Sequence, residues 1–448
     1  MKRVFGRVIA AFCLGLGACS NQPSAIDENG TVRALAPVNS SEKGGYSFKT
    51  VELQGITDIS SLSGKYADFI LGPRVAENRL KGAKPHARFL RKSEGEYVPT
   101  QAMTQNMVAL YWHMQNLAQL DAELGVPDIN KWPRQIGLGT RSSSRAGNNA
   151  FYDSKTDSLI FLRYSYEDLS LALNAGVLAH EHFHSLFYKL VLKAPLASLH
   201  AETLEDHQAQ QEEGAALAAH VGLAQSSFSE EELRYHTNRA WVRGLNEGLA
   251  DFWGWMYTGN PDFVAQSLWV VRNGSRSLDA NMLMGLRPLP SHKQTRMTLS
   301  RLVFESQDAH KGQGSHCRNL EQCARDYAYP LGTETARVMK RFTDIYAQSH
   351  QMKSSVARKE VAKLILKTLP LLKSEYSDMR KRELEPVSFL RIFAEQVKDM
   401  KSEECRLLSE IMTASTDNFE KKFECVEKNG WIVQEVENKP LATQGATL

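Results

Sequence analysis

The chain carries almost no net charge. Its 54 Lys and Arg stand against 51 Asp and Glu, an excess of three. Lys2, Arg3 and Arg7 at the N-terminus account for that excess, so the remainder is neutral. A neutral chain lacks the basic footprint of a nucleic-acid binder. No apolar run reaches the 20 residues of a permanent membrane span. There is no glycine-rich phosphate loop, internal repeat or sizeable low-complexity tract. Cysteine is scarce, with six in 448 residues and no Cys-x-x-Cys pair. That spacing argues against a cysteine-built metal site.

Against these absences one stretch stands out, Val177-Leu178-Ala179-His180-Glu181-His182-Phe183-His184. It holds His-Glu-x-x-His. On a helix, His180 and His184 lie on one face, one turn apart. Two imidazoles so placed can bind one metal ion, and Glu181 can reach a water on that ion. The run Leu171–Leu190 has no Pro, and Val177, Phe183, Leu186, Phe187 and Leu190 recur at helical spacing. Asp157–Leu162 reads as a strand before it. His182, two residues from His180, falls on another face and reads as packing or support.

A catalytic zinc usually takes three protein ligands and keeps one position for water. The best third candidate lies in Gly244-Leu245-Asn246-Glu247-Gly248-Leu249-Ala250-Asp251. Glu247 and Asp251 are again four apart, so both carboxylates share a helix face. One can bind metal, while the other accepts the outer N–H of a ligating histidine. His200, His207, His220 and His236 lie in the intervening stretch, about Lys189 to Ala240, which is acidic and reads as helical. They are alternative ligands, though none sits in a second metal-like motif.

His180-Glu181-x-x-His184 followed by Asn246-Glu247-x-x-x-Asp251 resembles the gluzincins, the thermolysin-like zinc metallopeptidases. The resemblance implies one Zn²⁺ on His180, His184 and Glu247, with Asp251 orienting His180 and Glu181 as general base. The 62 residues between His184 and Glu247 far exceed the spacing of thermolysin itself. The longer metzincin signature is missing, because Ser185–Lys193 contains no His. Asn148-Asn149-Ala150-Phe151-Tyr152 resembles the edge strand on which thermolysin-like enzymes lay their substrate. By that likeness Ala150 offers backbone contacts and Asn149 a side-chain contact. Tyr327-Ala328-Tyr329-Pro330-Leu331-Gly332 resembles the segment that carries the oxyanion donor in related families. Tyr329 is the first choice, with Tyr327, His316 and His292 behind it.

Residues 1–18 read as an export signal: a basic start, then the short apolar stretch Val8–Leu16. Leu16-Gly17-Ala18-Cys19 resembles the lipobox of bacterial lipoproteins. Cys19 would then carry the lipid, with the bilayer as a partner. Ser20 after it suggests the outer membrane, facing periplasm or exterior. Cys317, Cys323, Cys405 and Cys425 suggest two disulfides in an exported chain. The local pairing Cys317–Cys323 and Cys405–Cys425 is the simplest of three.

The expected organisation is a tether over 19–45, a small β-rich part over 46–99, a catalytic unit over 100–349 and a helical region over 350–448. Thr100–Leu124 reads as an amphipathic helix, as do Ser355–Leu372 and Val387–Ser415. The fold class is α+β. The resemblance implies a zincin-like two-lobed form, with a sheet and the zinc helix above and helices below. The expected function is a zinc endopeptidase acting on peptide or protein. An aminopeptidase of the same class and a non-catalytic lipoprotein of zincin-like fold are the alternatives.

Overall fold

The computed structural model describes residues 30–39, 46–140, 148–166, 169–193, 228–268, 276–279, 288–308, 320–376, 379–416, 421–428 and 430–437. The fold is mixed α+β. Cys19, Cys317, His200, His207, His220 and His316 lie outside the described residues, as do the expected signal and most of the tether.

A first sheet runs in the order β2-β1-β8-β7, from β1 (Val32–Asn39), β2 (Tyr46–Leu53), β7 (Phe89–Arg91) and β8 (Tyr97–Pro99). A short hairpin, β3 (Ile56–Asp58) with β4 (Ser63–Gly64), follows β2. The second sheet positions the site. It joins β5 (Ala67–Ala76), β6 (Arg79–Ala83), β9 (Arg134–Thr140), β10 (Ala150–Asp153) and β11 (Ser158–Leu162) in the order β10-β11-β9-β5-β6. Strands β11, β9 and β5 are parallel, whereas β10 and β6 run antiparallel at the two edges. Parallel neighbours need a covered crossover. Helix α1 (Ala102–Glu123) makes the one between β5 and β9, and buries Met107, Leu110, Met114 and Leu117.

The expected boundaries are corrected at two places. Val32–Asn39, assigned to the tether, is a strand inside the first sheet, paired along its length with β2. Its alternation of Val32, Ala34 and Ala36 inward with Arg33 outward is real but weak, because Ala and Pro37 are poor strand signals. The boundary at residue 100 is not respected either. β5 and β6 belong to the same sheet as β9–β11, so that sheet draws on both sides of it.

Helix α2 (Ala175–Phe187) is buried at all 13 positions. The expected helix from Leu171 is interrupted at Asn174, after a 3₁₀ turn at Leu171–Leu173. The Asn174 side chain accepts from the N–H groups of Gly176 and Val177, at 3.1 and 3.2 Å. That cap satisfies donors a buried helix end would otherwise strand. Helix α3 (Glu230–Thr258) starts on the Ser229/Glu232 capping box and stops at Gly259 with φ 76°. Further α-helices among the described residues are α4 (His292–Asp308), α5 (Leu320–Ser349), α6 (Ser354–Glu375), α7 (Ser388–Gln396) and α8 (Ser402–Ala414).

Val387–Ser415 is thus two helices rather than one, separated at residues 397–401. The region over 350–448 is not wholly helical, because it also holds the hairpin of β12 (Lys421–Glu427) and β13 (Trp431–Glu437). Cys405 on α8 and Cys425 on β12 form a disulfide with Cα atoms 5.8 Å apart. Cys323 is buried in the first turn of α5.

One continuous core runs from the first sheet through α1, α2 and α3 to α8. The close crossings are built on glycine. A Cβ at Gly248 of α3 would lie 2.3 Å from the Gly332 carbonyl oxygen of α5. A Cβ at Gly176 of α2 would lie 2.4 Å from the Phe263 ring, which also abuts Gly254 of α3. These contacts bring three helices together around the two motifs.

Candidate metal centre

The two histidines of α2 converge. His180 Nε2 and His184 Nε2 are 3.0 Å apart. Both outer nitrogens meet acceptors: His180 Nδ1 lies 3.0 Å from Asp251, and His184 Nδ1 lies 3.0 Å from the Asn246 side-chain oxygen. Either a proton or a metal ion between the two Nε2 atoms would bridge their lone pairs.

Two carboxylates stand beside the histidines. The ligand atoms of His180, Glu181 and His184 all lie within 4.8 Å of one another, and all three side chains are buried. Glu247, from α3, comes within 3.5 Å of His180 Nε2 and 3.9 Å of His184 Nε2. Atoms that share a tetrahedral ion at bonds of about 2.05 Å stand about 3.3 Å apart. The His–His separation of 3.0 Å and the 3.5 Å from His180 Nε2 to Glu247 Oε2 bracket that figure, so the donor set fits a small divalent ion. The buried His-Glu-His group can hold a metal.

The electrostatics agree. Burial opposes charge on His180, but hydrogen bonds to Asp251 and Glu247 outweigh it and raise its pKa to about 10. Burial raises Glu247, yet the neighbouring His184 and His180 bring it down to about 2. Asp251 is likewise lowered: burial works against it, and Arg276 and His180 prevail.

Arg276 had no signature in the sequence. Its guanidinium grips Asp251 at 2.6 and 3.2 Å and lies 4.0 Å from Glu247. The segment that carries it is fixed to α5. Arg337 donates to the Ser277 carbonyl at 3.0 Å, and Lys340 pairs with Asp279 at 2.8 Å. Arg276 also stacks over the half-buried Tyr329 ring, 5.2 Å from its centroid. Tyr329 therefore adjoins the carboxylate side of the centre. Tyr327 packs on the core instead, and His292 is buried 3.6 Å from Glu383. His236 is half-buried beside Tyr235 on α3, outside the metal cluster. Asn246 was also missed as a partner of His184. Its only signal was its place beside Glu247.

Strand β10 packs against α2 at the sheet edge. Among the described residues it pairs with β11 alone. The Asn149 carbonyl accepts from Leu162 N–H at 2.9 Å. Alternation along an antiparallel strand then turns the N–H and C=O of Ala150 to the open side. Asn149 itself is half-buried at the strand's start.

Behind α2 lies a buried polar network. His182 Nε2 meets Asp121 of α1 at 2.9 Å and stacks on Trp132. Asn130 links Asp121, Arg134, Lys189 and Ser185. Arg134 and Lys189 both pair with Asp157, at 3.1 and 2.9 Å. His182 thus supports the back of the helix, as its face predicted. Burial raises the Asp157 carboxyl, but the charges of Arg134 and Lys189 pull it below its ordinary value. Desolvation of the half-buried Lys189, aided by the charge of Arg134, pushes it down to about 8.

A lowered carboxylate stabilises the fold above its unfolded pKa of about 3.9, and that contribution is lost as pH falls through the folded value. Asp157→Asn should therefore cost about 1–2 kcal/mol at pH 7, a figure held down because Asp157 is 35% exposed. The deficit should shrink when urea midpoints are compared below pH 4. A deficit that does not change with pH would show that charge is not its cause.

No protein-family model matches the chain, and no curated protein matches it in sequence. The reading of the centre therefore rests on its own geometry.

Proposed function

We propose that this chain is a zinc-dependent peptidase of the thermolysin-like, gluzincin type, an endopeptidase held to the bacterial envelope by lipid on Cys19. The observation that carries the reading is the convergence of His180, His184 and Glu247 from α2 and α3, with Glu181 beside them and Asp251 behind His180. A His₂Glu set is a known catalytic zinc arrangement that leaves one position open. Bound there, zinc supplies a water of lowered pKa and polarises the scissile carbonyl.

The chain's own residues do the rest. His180, His184 and Glu247 hold the ion. Glu181 takes the proton of the attacking water and passes it to the leaving amine. Asp251, held by Arg276, keeps the His180 ring turned inward. The open edge of β10 receives an extended peptide through the backbone of Ala150, with Asn149 at its start. Tyr329 is the donor assigned to the developing oxyanion.

The test is direct. Purified protein should contain one equivalent of zinc and cleave a peptide library at internal bonds. Activity should vanish with a chelator and return with zinc. A metal-replete protein that cleaves nothing would favour a binding role, and cleavage only at free N-termini would make it an aminopeptidase. Asp251→Asn should weaken zinc by about 10–100-fold, measured by competition with a chromogenic chelator. Unchanged affinity would remove Asp251 from the reading.

A further inference from the structure

The carboxyl ends of the parallel strands β5, β9 and β11 open onto a cavity of about 1120 Å³. None of its lining residues belongs to the metal centre. Its inner surface is apolar, formed by Leu71, Leu138, Phe161 and Leu162. Tyr164 and Tyr166 wall it as an edge-to-face pair with centroids 5.7 Å apart, and the Tyr164 hydroxyl is anchored on the Ser267 carbonyl at 2.6 Å. Gly72 and Gly139, both at positive φ, leave bare backbone at the rim. A Cβ at Gly72 would meet nothing within 4 Å, and one at Gly139 only Met103 Cε at 4.0 Å.

Three polar residues line this apolar space. Gln105 and Asn106, half-buried on α1, and Arg163, exposed just beyond β11, all line the cavity. None of the three side chains makes a hydrogen bond or ion pair in the described structure. A few placed polar groups on an apolar surface are the usual make-up of a ligand site.

We infer that this cavity binds the C-terminal end of a peptide, with its apolar side chains on the leucine and tyrosine surface. The carboxamides of Gln105 and Asn106 each donate and accept, which matches a peptide unit. The guanidinium of Arg163 matches a terminal carboxylate, with two parallel hydrogen bonds available. A purely apolar ligand would leave the half-buried Gln105 and Asn106 without partners, at a cost for each one desolvated. The site does not rest on the peptidase reading, because it uses no residue of the metal centre.

Calorimetric titration of the full chain with N-acetyl-Leu-Phe and with its C-terminal amide tests this. The acid should bind saturably, and the amide at least about tenfold more weakly. Arg163→Gln should abolish the difference between acid and amide. Arg163 is exposed, so the fold should survive, with circular dichroism as the check. Asn106→Leu should weaken both probes. Chelation of metal should leave acid binding unchanged. Equal affinity for acid and amide, no binding of either, or loss of binding on chelation would overturn the assignment. The last outcome would move the peptide to the metal centre, and the first two would leave the peptidase reading untouched.

Discussion

Glu181→Gln protein should retain its equivalent of zinc while its kcat/KM falls by about 10³-fold, the range expected when a general base is removed. Gln keeps the size of the side chain, and Glu181 is buried on a fully buried helix, so packing should be preserved. Glu247→Ala should behave differently. It takes away a carboxylate 3.5 Å from His180 Nε2, and it should lose both metal and activity. The pair separates the two acids near the histidines, each of which is close enough to bind an ion. If the Gln variant loses zinc and the Ala variant keeps it, the two roles must be exchanged. If the Gln variant cleaves at the wild-type rate, no base acts at Glu181.

The convergence of these side chains was legible because they stand at helical spacing. His180 and His184, and Glu247 and Asp251, are each four apart, so local periodicity alone fixes which side chains share a face. The same rule separated His182 from the pair, and it now lies against Asp121 on the far side of α2. What periodicity cannot supply is the partner brought from elsewhere in the chain. Arg276 lies 25 residues beyond Asp251 and reaches it only because its segment is fixed to α5 through Arg337 and Lys340. Asn130, which joins α1, β9 and α2 behind the site, was equally silent.

The fold was legible where apolar residues are large and regular, and illegible where they are small. Helix α1 was readable from Met107, Leu110, Met114 and Leu117, all fully buried. Val32–Asn39 reads as tether in sequence because its inward residues include Ala34 and Ala36 and it contains Pro37. Small side chains give little hydrophobic signal, but they let α1 pack against the strand. The boundary at residue 100 failed for a topological reason. β5 and β9 pair in parallel register across the whole of α1, from Ala67↔Arg134 to Leu71↔Leu138, and no local pattern announces such a pairing.

Gly248→Val should be the most damaging single change outside the ligands themselves, costing about 3 kcal/mol of stability and the metal with it. At this crossing α3 and α5 touch backbone to backbone. A Cβ on Gly248 would lie 2.3 Å from the Gly332 oxygen and 2.9 Å from Thr335 Cβ. From the other side, a Cβ on Gly332 would lie 2.8 Å from the Gly244 oxygen and 2.9 Å from Glu247 Cβ. The obstruction is mostly backbone, so no rotamer change relieves it, and one helix must move. Glu247 and Asp251 ride on the helix that would be displaced, whereas His180 and His184 sit on α2. Separating the helices by even a fraction of an ångström would stretch the His–Glu247 distances away from the spacing an ion requires. Thermal unfolding with and without zinc measures both effects. Wild type should gain stability from added metal, and the variant should melt lower and gain little. A variant that melts near wild type and responds fully to zinc would show that the crossing tolerates a side chain, and that the position of Glu247 does not depend on it.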